Sequence, residues 1–255
     1  MIAKTQEEVE RLRISGRILS DTLKALAALV VPGVTIAALD LAAEKIIRER
    51  GGVPAFLGYK PGGAKHPFPA ALCASVNDEV VHTVPSEQTV LKEGDIISLD
   101  LGVNYQGYFS DSALTVCVGE CDEAAKKLIA ATREALAAGL ATIRPGAYTG
   151  DIGEAVAAVA VRNNLSVVEE LGGHGLGKVV HEKPFIANFG AAGQGERLVE
   201  GHVLAIEPIF TEGRGAIVLD RGDGWTYRTR DHSRAAHFEQ TILVTRDGIE
   251  ILTPF

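Results

Sequence analysis

The stretch SLDLGVNYQGYFSD, Ser98–Asp111, sets two aspartates on either side of a turn-like centre. Upstream, Ile96, Ile97, Leu99, Leu101 and Val103 form a β-rich run in which Asp100 is out of place. Asn104-Tyr105-Gln106-Gly107 supplies turn chemistry, and Tyr108, Phe109, Leu114, Val116 and Val118 read as a return strand. A symmetric four-residue turn, centred between Tyr105 and Gln106, sets Asp100 directly opposite Asp111. Opposed side chains have Cβ atoms about 4.5–5.5 Å apart, where like charges are destabilising. One carboxyl is then protonated, as in an acid–base dyad, or a cation lies between the two. Without further ligands nearby, the same pattern is two unrelated surface aspartates beside a turn.

The chain as a whole narrows the choice. Its 255 residues, 46% of them apolar, can bury a core without staples. A formal charge of −8 argues against a nucleic-acid surface and against anionic membranes. Cys73, Cys117 and Cys121 are odd in number and lack CxxC spacing, so neither a disulfide framework nor a structural zinc site is indicated. The opening MIAKTQEEVERLR does not read as a signal peptide, and no apolar run approaches the roughly 18 residues of a membrane span. A cytoplasmic protein is the expectation.

Capping signals predict four helices. Thr5 with Glu8 starts one that runs to about Val30 before Pro32-Gly33, and Thr35 starts a second that ends near Arg50 before Gly51-Gly52. Asp122–Ile143 is an alanine-rich third, and a fourth runs from Thr149 or Asp151 to about Asn163. Pro54–Val118 and the chain from Ser166 onward read as strand and turn, with a Pro/Gly loop, KPGGAKHPFP, at Lys60–Pro69. The order is helix pair, strands, helix pair, strands: an α+β class built from a loosely duplicated unit, with 1–255 as a single domain.

Three further stretches carry metal-binding residue types. LGGHGLGKVVHEKP holds His174 and His181 among glycines, VLAIEPIF embeds Glu207 in an apolar strand, and AAHFEQTILVT puts Glu239 at the start of a β-rich run. Each has a structural reading too: a Gly-flanked histidine is usually a loop residue, and a strand glutamate usually pairs with Arg or Lys. Taken together, four carboxylates in apolar strands and a histidine do not read as surface charge. GGHGLGK, Gly172–Lys178, matches the spacing of a phosphate-binding loop, but Val179 stands where Ser or Thr should hold magnesium and no helix follows. No HExxH helix is present.

These stretches carry a resemblance. NDEVVH (Asn77–His82), DIISLDLGVNYQGYFSDSA (Asp95–Ala113), GGHGLGKVVHEKP (Gly172–Pro184), IEP (Ile206–Pro208), DGWTYRTRD (Asp223–Asp231) and FEQT (Phe238–Thr241) occur in the order and spacing of the type I methionine aminopeptidases, members of the pita-bread metallopeptidases. The chain resembles that family over nearly its whole length. The resemblance implies the pseudo-twofold pita-bread fold. It also implies Asp100, Asp111, His174, Glu207 and Glu239 as ligands of two divalent metals, with Asp111 and Glu239 bridging. His82 and His181 would be catalytic, substrate-contacting groups, Glu207 would manage a proton, and Tyr59 and Trp225 would border the methionine pocket.

The implied activity is removal of the initiator methionine from nascent polypeptides with a small second residue, through a metal-bridging hydroxide. Oxygen-rich ligation with one imidazole suits manganese, iron or cobalt at least as well as zinc. Nascent N-termini are the implied partners, ribosome association is left open, and a monomer is expected. Gln240 and His202 depart from the family pattern at positions that are not ligands, and the Lys60–Pro69 loop is longer than the family's. The rival readings are a prolidase or aminopeptidase P, which usually carries an added N-terminal domain, and a pita-bread binding protein that has lost catalysis.

Overall fold

The computed structural model describes residues 1–62 and 64–255; Gly63, in the Lys60–Pro69 loop, lies outside them. Helix α1 spans Gln6–Leu29 under a capping box in which Thr5 Oγ1 accepts from Glu8 N–H and the Glu8 carboxylate accepts from Thr5 N–H, both at 3.2 Å. Helix α2 (Ile36–Glu49) starts from an N-cap at Thr35, α3 (Glu123–Ala141) from Asp122, and α4 (Thr149–Asn163) follows Tyr148. Each lies within two residues of the span its caps predict. Among the described residues, no helix is long and apolar enough to cross a membrane.

The main sheet runs, in spatial order, Val53–Pro54, Ile96–Tyr105, Tyr108–Cys117, Glu239–Thr245, Val203–Ile206, Gly172–Gly175 and Glu182–Ala187. All these neighbours are antiparallel. Leu72–Val76 adds to Ile96–Tyr105, and Gly248–Ile251 to Glu239–Thr245. Helix α1 packs on the Ile96–Cys117 hairpin, α3 on the Ala235–His237 strand, and α4 on Glu182–Ala187. Strand alternation turns Leu99, Leu101 and Val103 into the helix-covered core. It turns Asp100 and Asp111 to the other face. Helices thus floor the sheet, and its opposite, curled face is left for chemistry.

Four expectations need correction. The hairpin turn holds two residues, not four: Gln106 and Gly107 take φ of 51° and 84°, as a primed two-residue loop requires. Its centre therefore lies between them, and Asp100 pairs with Ala113 while Asp111 pairs with Gly102. The aspartates are diagonal neighbours on one face, not directly opposed. Asn104 does not enter the turn; its Oδ1 accepts from Gly107 N–H at 2.8 Å.

The run Val203–Phe210 is not one strand. It breaks at Glu207-Pro208, and Ile209–Thr211 pairs in a separate sheet with Ala235–His237. Proline has no N–H to continue the ladder. Lys178–His181, within the stretch from Ser166 onward read as strand and turn, is a run of bends and not extended strand. Lastly, Cys117 and Cys121 form a disulfide between the end of a strand and the approach to α3, their Cα atoms 5.8 Å apart, while Cys73 is free and buried. A link spanning four residues is local and leaves no framework for spacing to reveal.

Candidate active site

All nine residues singled out from the sequence line one cavity of about 590 Å³: Tyr59, His82, Asp100, Asp111, His174, His181, Glu207, Trp225 and Glu239. Asp100, Asp111, His174, Glu207 and Glu239 come from five strands or strand ends, and the other four stand on loops and strand ends around them. Asp111 sits where Tyr108–Cys117 parts from Glu239–Thr245. Ladder pairing reaches only Ser112 and Ala113, and Thr241 takes over from it. Its hydroxyl donates to Asp111 O at 2.7 Å and lies 2.9 Å from Asp111 N–H. Ser112 Oγ donates to Glu239 O at 2.6 Å. Asn188 Nδ2 donates to Glu207 O at 2.9 Å and steadies the strand break. Gly102 stands opposite Asp111; a Cβ there would press on Ala55 and on Phe56, which lines the cavity.

Three sets of side chains have ligand atoms within 4.8 Å of one another: Asp100 with Asp111 and Glu239, His174 with Glu207 and Glu239, and Asp111 with His174 and His181. His174 Nε2 lies 3.6 Å from Glu207 Oε1 and 4.0 Å from both Asp111 Oδ2 and Glu239 Oε1. Its other nitrogen, Nδ1, is 3.0 Å from Gly175 O. A backbone carbonyl can only accept, so Nδ1 carries the proton and Nε2 offers its lone pair to the cluster.

His237 is a member of this nest that the sequence reading missed. It is buried, with Nε2 3.5 Å from Glu207 Oε2 and 3.9 Å from Glu239 Oε2. Its backbone is fixed by Thr115, which accepts from His237 N–H and donates to His237 O. The available signal was its place two residues before Glu239 in AAHFEQ. Gln240 and His202 do not line the cavity: Gln240 Nε2 donates to Thr253 O, and His202 Nδ1 accepts from Val199 N–H.

The electrostatics of the nest are one-sided. Burial raises the Asp100 carboxyl to about 7. Burial raises Asp111, Glu207 and Glu239 well above the carboxylate range, and their carboxylate neighbours push them further. Burial holds His174 and His237 down at about 3 and His82 at about 4. Asp100 Oδ1, Asp111 Oδ1, Glu239 Oε1 and both His237 nitrogens have no hydrogen-bond partner among the described residues. Buried carboxylates this close, with oxygens unpaired, fit divalent cations that supply the missing charge and bonds.

A pH signature follows from these shifts for metal-free protein. A carboxyl raised in the folded state favours folding while protonated, so its contribution is present at low pH and lost as pH climbs through the folded value, about 7 for Asp100. The depressed imidazoles act oppositely, but only below their ordinary 6.5. The windows part at that point. Chelator-treated protein should therefore lose several degrees of melting temperature from about pH 6.5 to 8.5, while metal-loaded protein should not. A flat or rising profile for the chelated form would contradict the carboxylate nest as described.

A buried carboxylate–imidazole nest at the floor of an apolar cavity, on a curled antiparallel sheet backed by helix pairs, defines a metal-dependent hydrolase. The sequence matches metallopeptidase family M24 over residues 10–246, and the chain belongs to that family, with its pita-bread α+β fold. Relatives that match nearly its whole length at about 40% identity include methionine aminopeptidases. That of Aquifex aeolicus is 43% identical over 251 residues, 98% of this chain and 97% of its own. Methionine aminopeptidase 1 of Mycobacterium tuberculosis is 42% identical over 253 residues, 96% of this chain and 92% of its own. The crystal structure of methionine aminopeptidase from Thermotoga maritima superposes with a TM-score of 0.94 at 41% identity, covering all of both chains.

Proposed function

We propose that the cavity removes methionine from the N-termini of nascent polypeptides with a small second residue, and that Asp100, Asp111, His174, Glu207 and Glu239 hold two divalent ions for the purpose. The observation that carries this reading is the sharing of Glu239 between the Asp100–Asp111 set and the His174–Glu207 set. One carboxylate common to two ligand groups would suit a paired centre, with Glu239, and beside it Asp111, contributing to both halves. When bound, such a pair supplies Lewis acidity and a water acidified towards neutrality.

The chain's own residues do the rest. Glu207 faces both His174 and His237, and its carboxylate is placed to take a proton from the attacking water and pass it to the leaving amine. His181 Nδ1 lies 2.9 Å from the Tyr59 hydroxyl. With Tyr59 donating, Nε2 keeps its proton and can donate to the carbonyl oxygen of the scissile bond as charge grows there. His82 holds a left-handed backbone, φ 59°, on the cavity wall, a strained geometry of the kind found where a side chain must be aimed. Phe56, Phe68, Cys73 and Trp225 offer an apolar lining for a thioether side chain.

Peptides separate this reading from a proline-directed relative. Met-Ala-Ser and Met-Pro-Ser should lose methionine when manganese, iron, cobalt or zinc is added in turn. Ala-Ala-Ser and Met-Leu-Ser should be cut at least about tenfold more slowly, the order of discrimination one apolar pocket supports. Equal turnover of Ala-Ala-Ser, or a demand for proline, would overturn it.

A further inference from the structure

The long loop of the sequence bends back over the cavity wall. It leaves at Tyr59 and returns at Phe68, and Phe68 N–H donates to Tyr59 O at 2.8 Å to close its neck. Both neck residues line the cavity. Between them, exposed at the surface, His66 accepts through Nδ1 a hydrogen bond from Trp225 Nε1–H at 3.0 Å. Trp225 is only 9% exposed, and its ring meets Phe68 edge-on with centroids 5.3 Å apart at 82°. Its backbone is held separately, since Trp225 N–H and Thr226 N–H both donate to Asp223 Oδ1. Asp223 therefore fixes where the tryptophan starts, and Phe68 and His66 fix where its ring points.

We propose that His66 is a positioning residue that latches Trp225 against Phe68 and so sets the size of the N-terminal side chain the cavity accepts. This rests on the reading that the cavity takes that side chain. A buried indole N–H needs an acceptor, and here it is supplied by an exposed loop residue rather than by the core. The latch can thus be removed without disturbing the sheet or the carboxylate nest. His66 itself does not line the cavity, so it acts only through the indole.

The chain contains one tryptophan, so its emission reports Trp225 alone. His66→Leu keeps the bulk and removes the acceptor; His66→Asn returns an acceptor near the position of Nδ1. In metal-loaded His66→Leu, tryptophan emission should shift to the red and acrylamide quenching should increase, with the melting temperature lowered by no more than a few degrees. KM for Met-Ala-Ser should rise about three- to tenfold, the scale of one net hydrogen bond, while kcat changes less than about twofold. The preference for Met-Ala-Ser over Phe-Ala-Ser in kcat/KM should fall by a similar factor. His66→Asn should restore all three readouts. Unchanged emission and quenching in His66→Leu, a fall in kcat with KM unaltered, or no rescue by Asn would overturn the latch. If wild-type protein cleaves no methionyl peptide, the reading of the cavity fails instead, and the emission arm still decides the latch.

Discussion

Asp100→Asn should lose at least about 10³-fold in activity and yet melt higher than wild type once both are stripped of metal. The first effect follows from the loss of one charged oxygen ligand from a shared carboxylate set. The second follows from the nest itself. Asp100 is packed with Asp111 and Glu239, its Oδ1 is unpaired, and burial lifts its carboxyl to about 7. Without cations, the folded state above that pH must either keep a proton there or carry a buried, repelled charge. Asparagine has the same shape and no charge, so it removes that cost. The sign sets the window: the gain should be near zero only below about pH 4, where the carboxyl is protonated both folded and unfolded, should be partial at pH 5.5, and should reach its full several degrees by pH 8.5. Adding manganese should reverse the order, because wild type then gains binding free energy that the variant lacks. Thermal melting of both proteins at two pH values, with chelator and with metal, reads all four corners. If chelator leaves the wild-type melting temperature and activity untouched, the carboxylates do not serve a metal.

How much of this was legible depended on how local each signal was. All four helices were, because their ends carry local signals: Thr5 with Glu8, Thr35, Asp122, and the Pro-Gly and Gly-Gly stops. The hairpin register was not. Asn is the usual occupant of a left-handed turn position, yet Gln106 takes φ 51° while Asn104 stays in the strand and braces the turn through Oδ1. That single choice moves every pairing by two residues and turns opposed aspartates into diagonal ones. Both patterns leave the two on one face, so the cluster was readable even where its register was not. Pro208 did announce the break at Glu207, although the apolar residues around it read as one strand. His237 hid between alanines and phenylalanine in what looked like core. The His66–Trp225 bond joins residues 159 apart and has no local trace. The sequence motifs thus marked the chemistry-bearing residues, and tertiary pairing decided how they meet.

The second large effect separates two histidines seven residues apart in one glycine-rich stretch. His181→Ala should keep its metal and lose roughly 10²–10³-fold in kcat, the size of one missing transition-state donor, with a smaller change in KM. His174→Ala should instead lose metal affinity, and activity with it. The geometry argues for this division through the nitrogens that face away from the nest. His174 Nδ1 is committed to a backbone carbonyl, which leaves Nε2 as a lone pair among carboxylates. His181 Nδ1 meets a hydroxyl that can donate, which leaves Nε2 as an N–H directed at a reacting oxygen. The surroundings differ as well: His174 is buried, whereas His181 is exposed on a bend. That bend is pinned to the hairpin by Phe109 N–H donating to Gly177 O and by the Lys178 ammonium over the Tyr108 ring. Yet His181 also lies within reach of Asp111 and His174 as a third ligand, so metal content must be measured beside the rates. Tyr59→Phe supplies the finer test. If the hydroxyl holds the tautomer of His181, its removal should lower kcat by about tenfold or less, leave metal content intact, and add nothing further in the His181→Ala background. Equal metal loss in His174→Ala and His181→Ala would make both histidines ligands, and the proton attributed to His181 Nε2 would have to come from His82.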